Sequence, residues 1–206
     1  MEEGLNQDYE FIIIMSLKGL INNRLTDKNT THAYVDLYEQ LLSSKKESAT
    51  SVLEVGIGDF GQKNGGSIKL WRDYFTKATI YGLDILPASR VIDELLTDPR
   101  VVLYTSINAY DDNFVKTTFV DKGMKFDFML DDGPHTLKSM KDFIRLYSPL
   151  MKDDAILIIE DVQAFGWFEE LSAEVPADLQ KYVKTYDLRS IKNQYDDLVF
   201  TIDKRL

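Results

Sequence analysis

From residue 51 onward, short apolar runs alternate with amphipathic stretches. The apolar runs predict five strands, at Ser51–Val55, Thr79–Leu83, Val101–Tyr104, Phe126–Leu130 and Ala155–Ile159. The stretches between them predict helices near Ser67–Phe75, Ala88–Leu96, Asp111–Val120 and Thr136–Leu150. Alternation at this spacing is typical of βαβ units, and continuous apolar runs are typical of strands covered on both faces. We therefore expect a parallel sheet in an α/β fold.

The two ends of the chain depart from this pattern. Tyr182–Asp187 and Asp197–Ile202 predict two strands joined through Leu188–Tyr195 without a helix, so a hairpin closes the sheet. Before residue 51, Phe11–Leu20 and Ala33–Leu42 predict helices on either side of a polar stretch, Asn22–Thr31. We expect a single domain over residues 1–206, with a helical cap (1–50) and a core (51–206). Whether this domain was excised from a longer protein stays open.

Composition excludes several classes of protein. Hydrophobic residues make up 44% of the 206, as in an ordinary globular domain. The formal net charge of -10 weighs against binding to a phosphate backbone, so we expect no nucleic acid partner. We also expect no membrane span and a cytoplasmic location, because apolar runs are short and no basic signal region opens the chain. The absence of cysteine excludes thiol nucleophiles and thiolate metal sites.

A glycine-rich loop follows the first predicted strand. Gly56, Gly58 and Gly61 have G-x-G-x-x-G spacing between a strand and a helix, which lets a ligand approach the backbone closely. Ligands of such sheets bind beyond the carboxyl ends of the strands. A tight turn after a strand also favours glycine, so the spacing alone does not identify the ligand.

Two features favour S-adenosylmethionine (SAM) over a dinucleotide. Glu54 lies inside the strand, where a carboxylate is costly unless it anchors the loop or accepts from an ammonium group. The loop continues to Gly65–Gly66–Ser67, too long for a pyrophosphate on a helix that starts directly after Gly61. Asp84, at the end of the second strand, suits ribose hydroxyls in either cofactor. An NAD-dependent oxidoreductase remains an alternative.

Acidic residues end the fourth and fifth predicted strands. Asp131 and Asp132 follow one strand, and Glu160 and Asp161 follow the next. Four crowded carboxylates raise one another's pKa unless a cation intervenes, and oxygen ligands suit Mg²⁺ or Ca²⁺. His135, just beyond Asp132, is a candidate general base. Alternatively, the aspartates cap the next helix and the histidine is structural, although Thr136 offers another cap.

Several motifs together carry a family resemblance. They are TDKNTTHAYVDLYEQLL, LEVGIGDFGQKNGGSIKLWRDYF, YGLDI, LDDGPHTLKSMKDF and IIEDV, in order along most of the chain from about Thr26. In these motifs the chain resembles the metal-dependent sugar O-methyltransferases of the mycinamicin type, and more loosely the cephalosporin-hydroxylase-like and rhamnosyl methyltransferases. The resemblance implies the Rossmann-like class I methyltransferase fold, a mostly parallel seven-stranded sheet ending in an antiparallel hairpin, with the N-terminal helical cap.

The resemblance also implies roles for individual residues. Asp132, Glu160 and Asp161 match metal ligands, and His135, supported by Asp132, matches the catalytic base. Pro134 replaces the serine usual in this motif, which puts the approach of His135 in doubt. The cofactor-binding set is Glu54, Gly56, Gly58, Gly61, Ser67, Asp84, Asn108 and Asp131. Candidate acceptor contacts are Lys28, His32, Tyr34 and Trp167, for which solvated or core positions are the alternative.

The sequence thus predicts a SAM-dependent enzyme, assisted by Mg²⁺ or another divalent cation. Its acceptor would be a sugar hydroxyl of a glycan or glycosylated small molecule, with rhamnose as one candidate. A catechol-type O-methyltransferase and a SAM-binding module without turnover remain alternatives. Whether the chain forms a homo-oligomer stays open.

Overall fold

A computed structural model describes residues 16–58 and 63–205 of the chain. Its sheet has seven strands: β1 (Ser51–Val55), β2 (Thr79–Leu83), β3 (Val101–Tyr104), β4 (Phe126–Asp131), β5 (Met151–Ile159), β6 (Val183–Asp187) and β7 (Leu198–Asp203). Their order is β3-β2-β1-β4-β5-β7-β6. Only β7 runs antiparallel to its neighbours β5 and β6. The predicted mostly parallel sheet with a closing hairpin is confirmed.

Eight α-helices lie among the described residues: α1 (Leu17–Leu20), α2 (Tyr34–Leu42), α3 (Gly66–Tyr74), α4 (Asp93–Thr97), α5 (Asp112–Val115), α6 (Leu137–Tyr147), α7 (Trp167–Glu174) and α8 (Arg189–Lys192). Of the first predicted helix, Phe11–Leu20, residues 11–15 lie outside the described part. No described helix is long and apolar enough to cross a membrane.

Both faces of the sheet are covered. Successive strand residues point to opposite faces, so Leu53 of β1 joins one buried cluster and Val52 joins the other. The first cluster contains Phe143 of α6, and the second contains Trp71 of α3. This two-sided burial explains why the central strands are almost continuously apolar.

One predicted helix is broken in the structure, and two helices lie where none was predicted. The helix expected at Ala88–Leu96 is broken at Val91, because Val91 pairs in a β-bridge with Asn64 of the loop after β1. The helix expected at Asp111–Val120 is confirmed, as α5 followed by a π-helical turn, Lys116–Val120. The sequence predicts no helix at α7, and α8 lies in the connection Leu188–Tyr195, which was expected to have no helix.

The segment before α2 is fixed on the rest of the fold. The Lys192 ammonium of α8 donates to the carbonyl oxygens of Asn29, Thr30 and His32. Helix α2 then buries Tyr34 and Tyr38. Both phenols donate to acidic side chains that follow β5, so the cap reaches the carboxyl ends of the central strands.

Candidate active site

The loops that follow β1 and β4 meet at the point where the strand order reverses. Such a switch point opens a crevice beyond the carboxyl ends of the strands. Gly56 has a φ of 95°, and an added Cβ would lie 1.8 Å from the Asp132 carbonyl oxygen. Only glycine fits this contact. Gly58 also has positive φ, at 116°, whereas Gly61 lies outside the described residues.

Glu54 is fully buried beneath this crevice. Its Oε2 accepts a hydrogen bond of 2.8 Å from the Trp71 indole, and its Oε1 lies 3.9 Å from the Lys28 ammonium. Among the described residues, Oε1 has no hydrogen-bond partner. Burial raises the pKa of Glu54 to about 8, and the Lys28 ammonium opposes the rise. A buried carboxylate oxygen without a donor is a suitable acceptor for a ligand ammonium group.

The other predicted cofactor residues lie around the same crevice in different environments. Asp84 accepts from the backbone amides of Ile57 and Leu86, at 2.6 and 2.8 Å, so it anchors the β1 loop. Ser67 is buried in the first turn of α3, and exposed Asn108 accepts from the Tyr110 amide. Asp131 accepts from the Tyr110 hydroxyl at 2.5 Å, while burial raises the pKa of Asp131 to about 8.

Asp132, His135 and Asp161 come together at the open side of the crevice. The His135 Nε2 lies 3.8 Å from Asp132 Oδ1 and 3.6 Å from Asp161 Oδ2. Ligand atoms of all three residues lie within 4.8 Å of one another, close enough to surround one cation. Burial raises the pKa of both carboxyls to about 7 and lowers the pKa of the imidazole. At neutral pH His135 is therefore a proton acceptor.

Glu160 is held on the inner side of the same group. It is almost completely buried, and its two oxygens accept from the Lys28 ammonium and the Tyr38 hydroxyl. Burial raises the pKa of Glu160, with Lys28 opposing. The structure thus groups Asp132 and Asp161 with His135, whereas Glu160 lies outside this group of possible ligands and both its oxygens already have protein donors.

The predicted acceptor contacts in the N-terminal segment have protein partners. Lys28 donates to Asp132 and Glu160, and Tyr34 donates to Asp161. His32 stacks on Tyr34, and its Nδ1 lies 2.7 Å from Asp197 Oδ1. The solvated-segment alternative is therefore wrong for these residues, although contact with an acceptor stays a prediction.

Trp167 differs from the other three acceptor candidates. It is partly buried, and it packs against the hydrophobic cluster on the α6 side of the sheet. None of its described contacts reaches the acidic group. An acceptor contact at Trp167 is therefore the weakest of the four predictions.

Sequence analysis missed the aromatic donors of the acidic group. Tyr38, Trp71 and Tyr110 donate to Glu160, Glu54 and Asp131. One signal was available, because Tyr34 and Tyr38 are four residues apart and share a helix face. Trp71 and Tyr110 have no such signal, since their partners lie on other elements.

No family model matches the chain. It is 28% identical, over 156 residues, to 8-demethyl-8-alpha-L-rhamnosyl tetracenomycin-C 2'-O-methyltransferase of Streptomyces olivaceus. It is 30% identical, over 134 residues, to the 3'-O-methyltransferase of the 2-methoxy-rhamnosyl compound from the same organism. The matches cover 75% and 64% of this chain but only 39% and 32% of those relatives. The chain thus spans about a third of the length of the curated relatives it matches.

Solved structures identify the fold. The mycinamycin-pathway methyltransferase MycE, solved with Mg, SAH and mycinamycin VI, matches with a TM-score of 0.67 at 22% identity, covering 91% of this chain and 54% of that one. An O-methyltransferase from Bacillus cereus in complex with SAH matches with a TM-score of 0.57 at 17% identity, covering 80% and 78%. This is the class I SAM-dependent methyltransferase fold. The curated relatives confirm the resemblance to sugar O-methyltransferases.

Proposed function

We propose that the chain is a SAM-dependent, divalent-metal-assisted O-methyltransferase that acts on a sugar hydroxyl. One juxtaposition carries the proposal: the buried Glu54 of β1 lies beside the Asp132, His135 and Asp161 group. A cofactor anchor and a metal-binding group thus share one crevice. Curated relatives whose names specify a rhamnosyl or olivosyl compound as the substrate of O-methylation support the acceptor class.

The residues present fit SAM. Glu54 Oε1, which accepts no hydrogen bond from the described residues, suits the ammonium group of its methionine part, and Gly56 leaves no side chain between the two loops. Asp84 keeps lone pairs for ribose hydroxyls, although each of its oxygens already accepts one backbone amide.

They also fit a divalent cation. Asp132 Oδ1 and Asp161 Oδ2 accept no hydrogen bond from described residues, and both face His135. Asp132 and Asp161 would hold the ion, with Glu160, the third acidic residue of the predicted set, behind them. A bound divalent cation lowers the pKa of a hydroxyl that it contacts and orients that hydroxyl.

His135 then acts as general base. Its Nε2 would take the proton of the acceptor hydroxyl, and bound SAM would supply the methyl group to the hydroxyl oxygen and leave as SAH. Both His135 and Asp161 have left-handed backbone conformations, with φ of 51° and 53°. Strained backbone of this kind is common where catalytic side chains are held in a fixed direction.

A methyl-transfer assay with labelled SAM tests the proposal. Acceptors would be defined sugars, rhamnosides included, with catechol as the rival acceptor and calorimetry with NAD testing the oxidoreductase alternative. We expect transfer to a sugar that EDTA abolishes and Mg²⁺ or Mn²⁺ restores. Removing the base in His135→Ala should lower kcat by about 10²–10⁴-fold.

Asp161→Asn should likewise lose activity, whereas the matched Asp121→Asn, at an ion pair with Lys116 away from the crevice, should not. Full activity in EDTA would show that the reaction does not require a metal ion. SAM binding without transfer to any acceptor would indicate a binding module.

A further inference from the structure

Lys28 is a buried cation that the proposed reaction does not use. Only 1% of the residue is exposed, and it lies in the segment before α2. Its Nζ donates to Asp132 Oδ2 at 2.5 Å and to Glu160 Oε1, and it lies 3.9 Å from Glu54 Oε1. The side chain is therefore enclosed by the acidic group and not exposed to solvent.

Asp132 lies between two positions for positive charge. Its Oδ2 contacts the Lys28 ammonium, while its Oδ1 faces His135 and the open metal position with Asp161. A carboxylate shared by two neighbouring cations is a feature of two-metal sites, where the ions are about 3.5–4 Å apart. In this chain a lysine ammonium stands at the inner position.

The charges of the group support the same view. Glu54, Asp131, Asp132, Glu160 and Asp161 are five carboxylates that share one buried region. Lys28, one divalent cation and SAM, with its net single positive charge, would together neutralise four of their charges. A second divalent ion would leave an excess of buried positive charge, which is unfavourable.

We propose that Lys28 is a positioning residue, a built-in cation that fills the inner position and limits the site to one exchangeable metal ion. This inference rests on the proposed function, because it assumes that the outer position binds a metal. It makes Glu160 a hydrogen-bond partner of Lys28 and not a ligand of the metal ion. It also predicts that removing the ammonium opens a second metal position.

Counting bound Mn²⁺ tests the inference with the metal alone as probe. Calorimetry and electron paramagnetic resonance on the intact chain should give one ion per wild-type chain. Lys28→Met should bind two ions with a spin-coupled Mn²⁺ signal, whereas Lys28→Arg, which keeps the charge, should bind one. Lys45→Met is the matched control, since Lys45 is also buried but pairs with Asp154; it should bind one ion.

The outcomes separate the two proposals. One ion in both wild type and Lys28→Met, or two in wild type, overturns the role of Lys28 and leaves the proposed function standing. No ion in wild type overturns the metal-assisted function and this inference with it. If Lys28→Met is unfolded without metal, we expect circular dichroism to show folding on Mn²⁺ addition with two ions bound, and failure to fold overturns the inference.

Discussion

Single backbone conformations decide how closely the crevice loops approach each other. Gly56 lets the β1 loop touch the Asp132 carbonyl, and the positive φ values of His135 and Asp161 direct both side chains toward the open metal position. Positive φ is a local preference of glycine, but it is uncommon for any other residue, His and Asp included. The packed loops around them impose it.

We predict that Gly56→Ala lowers the free energy of unfolding by more than Gly123→Ala does. Both glycines have positive φ, but a Cβ at Gly123 would meet nothing within 4 Å, whereas at Gly56 it would collide with backbone. Gly123→Ala should cost about 1–2 kcal/mol from backbone strain alone. Urea unfolding measures the difference, and calorimetry should show SAH binding lost only in Gly56→Ala. Equal effects of the two substitutions would contradict the close contact.

At the scale of elements, one buried carboxylate connects three strands at the end of the sheet opposite the crevice. Asp127, near the start of β4, accepts from the backbone amides of Thr50 and Ser51 and from the Lys152 ammonium, at 2.8, 3.0 and 2.7 Å. One carboxylate thereby ties β4 to the start of β1 and to β5. Burial would raise the pKa of Asp127, but these donors outweigh it and hold the pKa below its usual value.

We predict that Asp127→Asn lowers the free energy of unfolding at pH 7 by about 1–3 kcal/mol, the cost of donors left without their partner. Since the folded-state pKa is depressed, the carboxylate stabilises the fold above its unfolded pKa of about 3.9. That stability is lost as the pH falls through the folded value. Urea unfolding between pH 7 and pH 2 should show the gap between wild type and variant closing below pH 4. A gap independent of pH would contradict this account.

For the whole molecule, the crevice is a place where several carboxyls are buried together. The net charge is -10, and the carboxyls of Glu54, Asp131, Asp132 and Asp161 all have pKa values raised by burial. Removing like charges from water is costly unless cations accompany them. Ligand binding at this crevice should therefore be linked to global stability. The cytoplasmic location and any self-association stay predictions.

We predict that Mg²⁺ and SAH each raise the Tm. A ligand at 100 times its Kd adds about 2.7 kcal/mol, which for a chain of this size corresponds to roughly 5–10 °C. Differential scanning calorimetry in EDTA, Mg²⁺ and SAH measures the shifts. Asp161→Asn should lose the Mg²⁺ shift and keep the SAH shift, while Asp121→Asn keeps both. A Tm that does not change when Mg²⁺ is added would contradict the proposed metal-binding position.

The fold and the acidic group could be predicted from the sequence because both depend on the local pattern of apolar and polar residues. Buried strands between helices are apolar whatever their partners, and functional groups in such sheets follow the strands directly. Glu54, Asp132, His135, Glu160 and Asp161 were therefore found by position alone. Helix α7 and the break at Val91 were not, since the break depends on a β-bridge to a distant loop.

Only the tertiary structure decided how the charges are shared. Lys28 lies 104 residues from Asp132 and 132 from Glu160 along the chain, and nothing in its local pattern distinguishes it from a solvated lysine. Tyr38 and Trp71 were likewise ordinary helix residues until folding placed them beside Glu160 and Glu54. Sequence determined which chemical groups reach the crevice, because strand ends fix them. Folding determined which carboxylate oxygens stay open to ligands, because donors from distant elements occupy the rest.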